Sequence, residues 1–63
     1  MRFARNLCYR VLHAKDGKIN TWDYPELNLA ERAYWSLTNF DKCMIIQVWS
    51  NNVKCVHERN ANV

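Results

Sequence analysis

Glycine and proline are almost absent from this sequence, with one of each in 63 residues. That scarcity excludes collagen-like repeats and Pro- or Gly-rich disordered linkers. It also leaves few positions where the backbone can turn sharply at no steric cost. Cysteine is sparse and badly arranged for bridging: Cys8, Cys43 and Cys55 are odd in number and form no CxxC pair. A disulfide framework is therefore not expected, and a reducing, cytoplasmic setting is. No apolar run approaches the roughly 20 residues of a membrane span, and the arginines of MRFARNLCYR lack the apolar stretch of about seven or more residues that a secretory leader carries. A soluble protein without a membrane partner is the expectation. Repeats, low-complexity segments and sequence motifs for catalysis or cofactor binding are also missing.

What is present is a globular composition, 49% hydrophobic and 24% charged, which should fold as one domain spanning residues 1–63. A chain of this length buries only about 60% of the surface its unfolded form exposes. Its core must be small, and a large enzyme cleft is not expected. The net charge of +3, from nine Lys and Arg against six Asp and Glu, favours anionic partners weakly but does not form the dense basic run of a dedicated nucleic-acid arm.

Two turns and a helix organise the chain. Asp16-Gly17 in CYRVLHAKDGKINTWDY suits a two-residue hairpin loop, because both central positions need positive φ. Strands are expected near 6–14 and 19–24, with Lys15 opposite Lys18, Val11 opposite Trp22, Tyr9 opposite Tyr24 and Arg10 opposite Asp23. Leu7, Tyr9, Val11, Trp22 and Tyr24 then share one face, with His13 at its rim. Cys8, Leu12, Ala14 and Ile19 share the other with the Arg10 and Asp23 pair, which marks the wetter side. In PELNLAERAYWSLTNF, Asn28 followed by Glu31 is an Asn-headed capping box. It predicts a helix near 29–39 whose buried stripe is Ala30, Ala33, Tyr34, Leu37 and Phe40.

The stretch MIIQVWSNNVKCVH reads as a second hairpin, with strands near 43–50 and 53–58 around an Asn51-Asn52 turn. Alternation places Met44, Ile46, Val48, Val53, Cys55 and His57 on one side, the better core face. Cys43, Ile45, Gln47, Trp49, Lys54, Val56 and Glu58 fall on the other. The fold class is α+β: β-hairpin, α-helix, β-hairpin, with the helix on one face of an antiparallel sheet. A single helix covers a single face. The other face, holding Ile45, Trp49 and Val56 with Leu12 and Ile19, should stay open, rimmed by Lys54, Gln47, Glu58 and Arg10.

An open apolar patch of that kind marks a docking surface, and Trp is enriched among residues that dominate interface energies. Against this, scattered exposed apolar residues are ordinary, and Lys54 can simply lie across Trp49. The expected function is a non-enzymatic protein-binding module, an inhibitor, adaptor or small subunit acting on a larger protein. Its contact residues would be Trp49, Ile45, Val56, Gln47 and Lys54, or Trp35 on the helix flank. Phage and mobile-element accessory proteins that target host machinery share this size and style, though that is an analogy without a residue match. A homodimer joined through the same face is an equally physical use of the patch.

The alternative is nucleic-acid binding by Arg2, Arg5, Arg10, Lys15 and Lys18, interleaved with Phe3, Tyr9 and Trp22 as stacking rings. Burial of Tyr9 and Trp22 in the core would count against it. Zinc held by Cys55, His57, Cys43, Cys8 and His13 has no supporting pair spacing. Acid–base chemistry from His13, His57, Glu31 and Glu58 has no local motif behind it. Neither a metal nor a cofactor is therefore expected.

Overall fold

A computed structural model describes residues 7–61. The elements run β1 Cys8–Lys15, β2 Lys18–Tyr24, α1 Leu27–Trp35, β3 Lys42–Trp49 and β4 Asn52–Asn60. The strands form one antiparallel sheet in the order β2-β1-β3-β4, with the helix packed on one face. This is the α+β arrangement the sequence implies.

The first hairpin forms in the expected register. Asp16 and Gly17 both adopt positive φ, 52° and 80°, and Lys15–Lys18, Val11–Trp22, Tyr9–Tyr24 and Arg10–Asp23 stand opposite one another. The Arg10 guanidinium donates to both Asp23 oxygens, at 2.7 and 3.1 Å. Asp41, at the entry to β3, ties this hairpin to the rest. Its backbone N–H donates to the Ala14 carbonyl at 2.8 Å, and its carboxylate accepts from the Asp16 N–H at 2.9 Å.

The helix begins two residues earlier than the capping box predicts. Pro25 cannot donate to a sheet ladder, and Glu26 takes an extended N-cap conformation without a side-chain cap. Asn28 therefore lies inside the first turn and caps nothing. The earlier start places Leu27, Ala30 and Tyr34 at i, i+3 and i+7, all against the core. Seating Leu27 outweighs an Asn cap worth about 1 kcal/mol. The helix also stops at Trp35, short of residue 39. The Ser36 hydroxyl donates back to the Ala33 carbonyl at 2.8 Å, the N–H groups of Ser36 and Leu37 tighten into i−3 bonds, and Asn39 reverses the chain at φ 59°. Leu37 and Phe40 still pack on the core, from the loop.

The second hairpin corrects the expected faces. Its two-residue turn is Ser50-Asn51, one residue earlier than expected, with Ser50 at φ 57°, so the pairing of β4 slides by two residues: Val48 faces Val53 and Ile46 faces Cys55, where Cys55 and His57 were expected. A bulge then leaves Val56 unpaired, and Ile45 faces His57. Ile45 and Cys43, expected in the open, are fully buried beneath the helix with Val11, Ala30 and Tyr34. Met44, Ile46, Val48, Val53 and Cys55, expected in the core, lie on the face the helix does not cover. Both faces of β3 are apolar, so alternation alone cannot choose between them. The choice is made by β1, whose Val11 and His13 pair with Ile45 and Cys43. The two-residue slide of β4 leaves side chains on their own faces, so the exchange of inside and outside comes from β1 and the covering helix.

Candidate partner-binding surface

All three tryptophans stand on the helix side of the sheet and all remain in solvent: Trp22 is 43% exposed, Trp35 57% and Trp49 50%. Each has a local cause. Trp22 lies on edge strand β2, opposite Val11. Trp35 ends the helix on its outer side. Trp49 closes β3, at the same parity as buried Ile45. The helix backbone lies nearest β1, β2 and β3 and meets β4 through side chains at His57 and Arg59, away from the corner of β3 and β4 that carries Trp49.

Of the residues expected to form the partner surface, Trp49, Gln47 and Lys54 do come together in that corner. Gln47 stands directly opposite Lys54. Val56 is half-buried and packs on the core from its bulge. Ile45 is withdrawn entirely, because it fills the centre of the core. The corner is on the helix side, not on the open face where it was expected.

Trp35 belongs to a second group that the sequence did not disclose. Its ring meets the Tyr34 ring edge-on at 4.8 Å and the His57 ring at 5.7 Å. His57 stacks on Tyr34 at 5.7 Å, and its Nε2 lies 3.2 Å from a Glu31 oxygen. The Arg59 guanidinium sits over three rings, 5.3 Å from Tyr34, 4.9 Å from Trp35 and 4.9 Å from Phe40. Its Nη1 donates to the Tyr34 carbonyl at 3.5 Å. Among the described residues it has no carboxylate partner. An open groove of about 500 Å³ lined by Phe40, Glu58, Arg59, Asn60 and Ala61 runs beside it.

Glu31, expected to close a capping box, pairs with His57 instead. The signals for this group were present as spacings: Glu31 and Trp35 are four apart on the helix, and His57 and Arg59 two apart on a strand. The strand runs two residues past the expected end at 58, to Asn60, which brings Arg59 into the sheet.

The electrostatics are modest outside the core. Burial pushes the Tyr34 phenol up to about 12, with the Cys43 thiol adding to the effect. Burial also raises the Cys43 thiol. The hydrogen bond from Arg10 holds the Asp23 carboxyl below its ordinary value, against a smaller opposing effect of burial.

The other expected sites are scattered. Arg2, Arg5 and Phe3 lie outside the described residues. Arg10 is committed to Asp23 on the far face, Lys15 and Lys18 meet at the hairpin tip on the helix side, and Tyr9 packs on the core. Cys55 and His57, expected to point the same way, are turned to opposite faces by the bulge. Among the described residues no three His, Cys, Asp or Glu side chains gather as a metal site requires. His13 reaches the Thr38 carbonyl at 3.4 Å, and Glu58 pairs with Lys42 at 3.0 Å, so neither joins His57 and Glu31. No helix among the described residues is long and apolar enough to cross a membrane.

Compared with protein-family models, curated proteins and solved structures, the chain matches none.

Proposed function

We propose that the chain is a non-enzymatic protein-binding module that docks its tryptophan-bearing helix side onto a larger protein, as an inhibitor, adaptor or small subunit. The observation that carries this reading is the exposure of Trp22, Trp35 and Trp49 on one side of a domain in which five of the described residues form the fully buried core. Burying a large aromatic is the strongest stabilisation open to a small domain. A fold that leaves about half of each in water forgoes part of it, and the same residues supply interface anchors.

Arg59 strengthens the reading. Its guanidinium is already held against three rings, so it loses little rotamer freedom on meeting a carboxylate of the partner. Trp35, Arg59 and the adjoining groove form one part of the surface. Trp49, Gln47 and Lys54 form the other. The three thiols, none bonded to another, suit a reducing, cytoplasmic setting.

The test is capture from the native host with Trp35→Ala and Trp49→Ala, alone and together, after far-UV circular dichroism has shown each variant folded. One specific protein retained by the natural chain and lost, at least tenfold, by the double variant is the expected result. Capture that is indifferent to both substitutions would sink the assignment. Retention of nucleic acid that weakens steeply with added salt would move the function to Lys15, Lys18 and Trp22.

A further inference from the structure

Arg59 carries N–H groups that the fold leaves unanswered. Its guanidinium lies against the rings of Tyr34, Trp35 and Phe40, and Nη1 donates to the Tyr34 carbonyl at a long 3.5 Å. Rings engage the faces of a guanidinium, whereas its N–H groups point outward in its plane. Beyond the Tyr34 carbonyl they have no acceptor among the described residues. The carboxylates nearest in the chain and in space are already engaged. Glu31 lies 3.2 Å from His57. Glu58, next to Arg59 in sequence, points to the opposite sheet face and pairs with Lys42 at 3.0 Å. What is left fits a planar, two-oxygen acceptor from outside the chain.

The groove beside Arg59 gives such an acceptor a route. Glu58, Arg59 and Asn60 follow one another in β4 and alternate between the sheet faces. A groove lined by all three, with Ala61 and Phe40, therefore runs along the rim of the strand and not over either face. β4 ends the sheet, and the outward N–H and C=O groups of an edge strand are a template for another extended chain. A chain laid along this rim adds a strand and sends alternate side chains to the helix side, one of them within about 5 Å of Arg59. A carboxylate suits that place better than a phosphate. Among the described residues no second cation lines the groove, and Glu58 opposes a doubly charged anion more than a singly charged one. We propose that the partner segment is an extended strand bearing a glutamate or aspartate, which pairs along the rim of β4 and delivers its carboxylate to Arg59. This rests on the protein-binding reading above and names the chemistry of the partner.

The probe is the blocked peptide acetyl-Thr-Val-Glu-Val-Thr-amide, titrated into the isotope-labelled full chain and followed by two-dimensional NMR at concentrations that reach a dissociation constant on the order of 1 mM. Saturable shifts are expected at the Arg59 side-chain Nε–H and at the backbone amides from Glu58 to Ala61. The same peptide with Gln in place of Glu, and inorganic phosphate, should each bind about tenfold more weakly or worse. Arg59→Lys keeps the charge but not the planar fork, and should weaken the Glu peptide by a similar factor. No saturable shift, or a Gln peptide or phosphate that matches the Glu peptide, overturns the proposal on the natural chain alone. Capture from the host separates it from the reading beneath it. A host protein lost by the tryptophan variants but fully retained by Arg59→Lys overturns the carboxylate site and leaves the binding module standing. Capture indifferent to the tryptophans, with the Glu peptide still bound at Arg59, overturns the module and supports the site.

Discussion

Removing one oxygen from the core, by Tyr34→Phe, is expected to stabilise the fold. The Tyr34 side chain is fully buried, and its hydroxyl makes no hydrogen bond of ordinary geometry. The Cys43 thiol is the polar group beside it, and sulfur is a weak acceptor. A buried polar group left unpaired costs about 1–3 kcal/mol. Phenylalanine keeps the ring contacts with Trp35, His57 and Arg59, so nothing else need be lost. Allowing for partial relief from the sulfur, the gain at pH 7 should be about 1 kcal/mol, or about 4–8 °C in Tm for a domain of this size.

Alkaline pH enlarges the difference. Because burial raises the folded phenol to about 12 from its ordinary 10, the folded chain keeps a proton that the unfolded chain releases. The associated stability is complete below pH 10 and disappears as pH rises through 12. Two pH units correspond to on the order of 2–3 kcal/mol. The natural chain should lose this much across that window beyond any loss shared with the Phe variant. Urea unfolding followed by circular dichroism at pH 7 and pH 11, on both proteins, reads the gain at neutral pH and, at the midpoint of the window, about 1.4 kcal/mol of the alkaline loss. A Phe variant less stable at pH 7 by more than about 1 kcal/mol, or a stability gap that does not widen at pH 11, would refute the reasoning.

Two further substitutions follow from the faces and the turn. Ile45→Ala empties the centre of the core and should cost about 2–5 kcal/mol in urea melts, whereas Val53→Ala, on the open face, should stay within about 0.5 kcal/mol. The opposite ranking would restore the face assignment that alternation suggested. Gly17→Ala meets no atom within 4 Å but must hold φ at 80°, so it should cost about 1 kcal/mol from the backbone alone. A neutral Gly17→Ala would mean that the turn relaxes to another geometry.

The first hairpin was legible residue by residue because Asp16-Gly17 leaves only one loop that satisfies two positive φ values. Its register, its core face and the Arg10–Asp23 pair all descend from that turn. The second hairpin has no such anchor. Ser50, Asn51 and Asn52 are close alternatives for the turn, and the bulge at Val56 has no composition cue, so the turn moved by one residue and the pairing by two, while the choice of inside face fell to β1 and the helix. The candidate surface shows the same division. Trp35, Trp49, Gln47 and Lys54 were visible as interface residue types, but Ile45 could not be removed from the list until its depth was known. Arg59 could not be added until the rings around it were assembled.

Local chemistry was therefore sufficient for the α+β order, the existence of each strand and helix, and the shortage of core that leaves large apolar residues in water. These depend on period, turn geometry and composition, which act over a few residues. Which β3 face meets the helix, where the helix begins, and the gathering of Glu31, Tyr34, Trp35, His57 and Arg59 were decided only by tertiary structure. They turn on contacts between segments far apart in the chain: Val11 against Ile45, Leu27 against the core, and Arg59 against the end of the helix. Two faces of nearly equal hydrophobicity are degenerate until a neighbouring strand and a covering helix make one of them the inside.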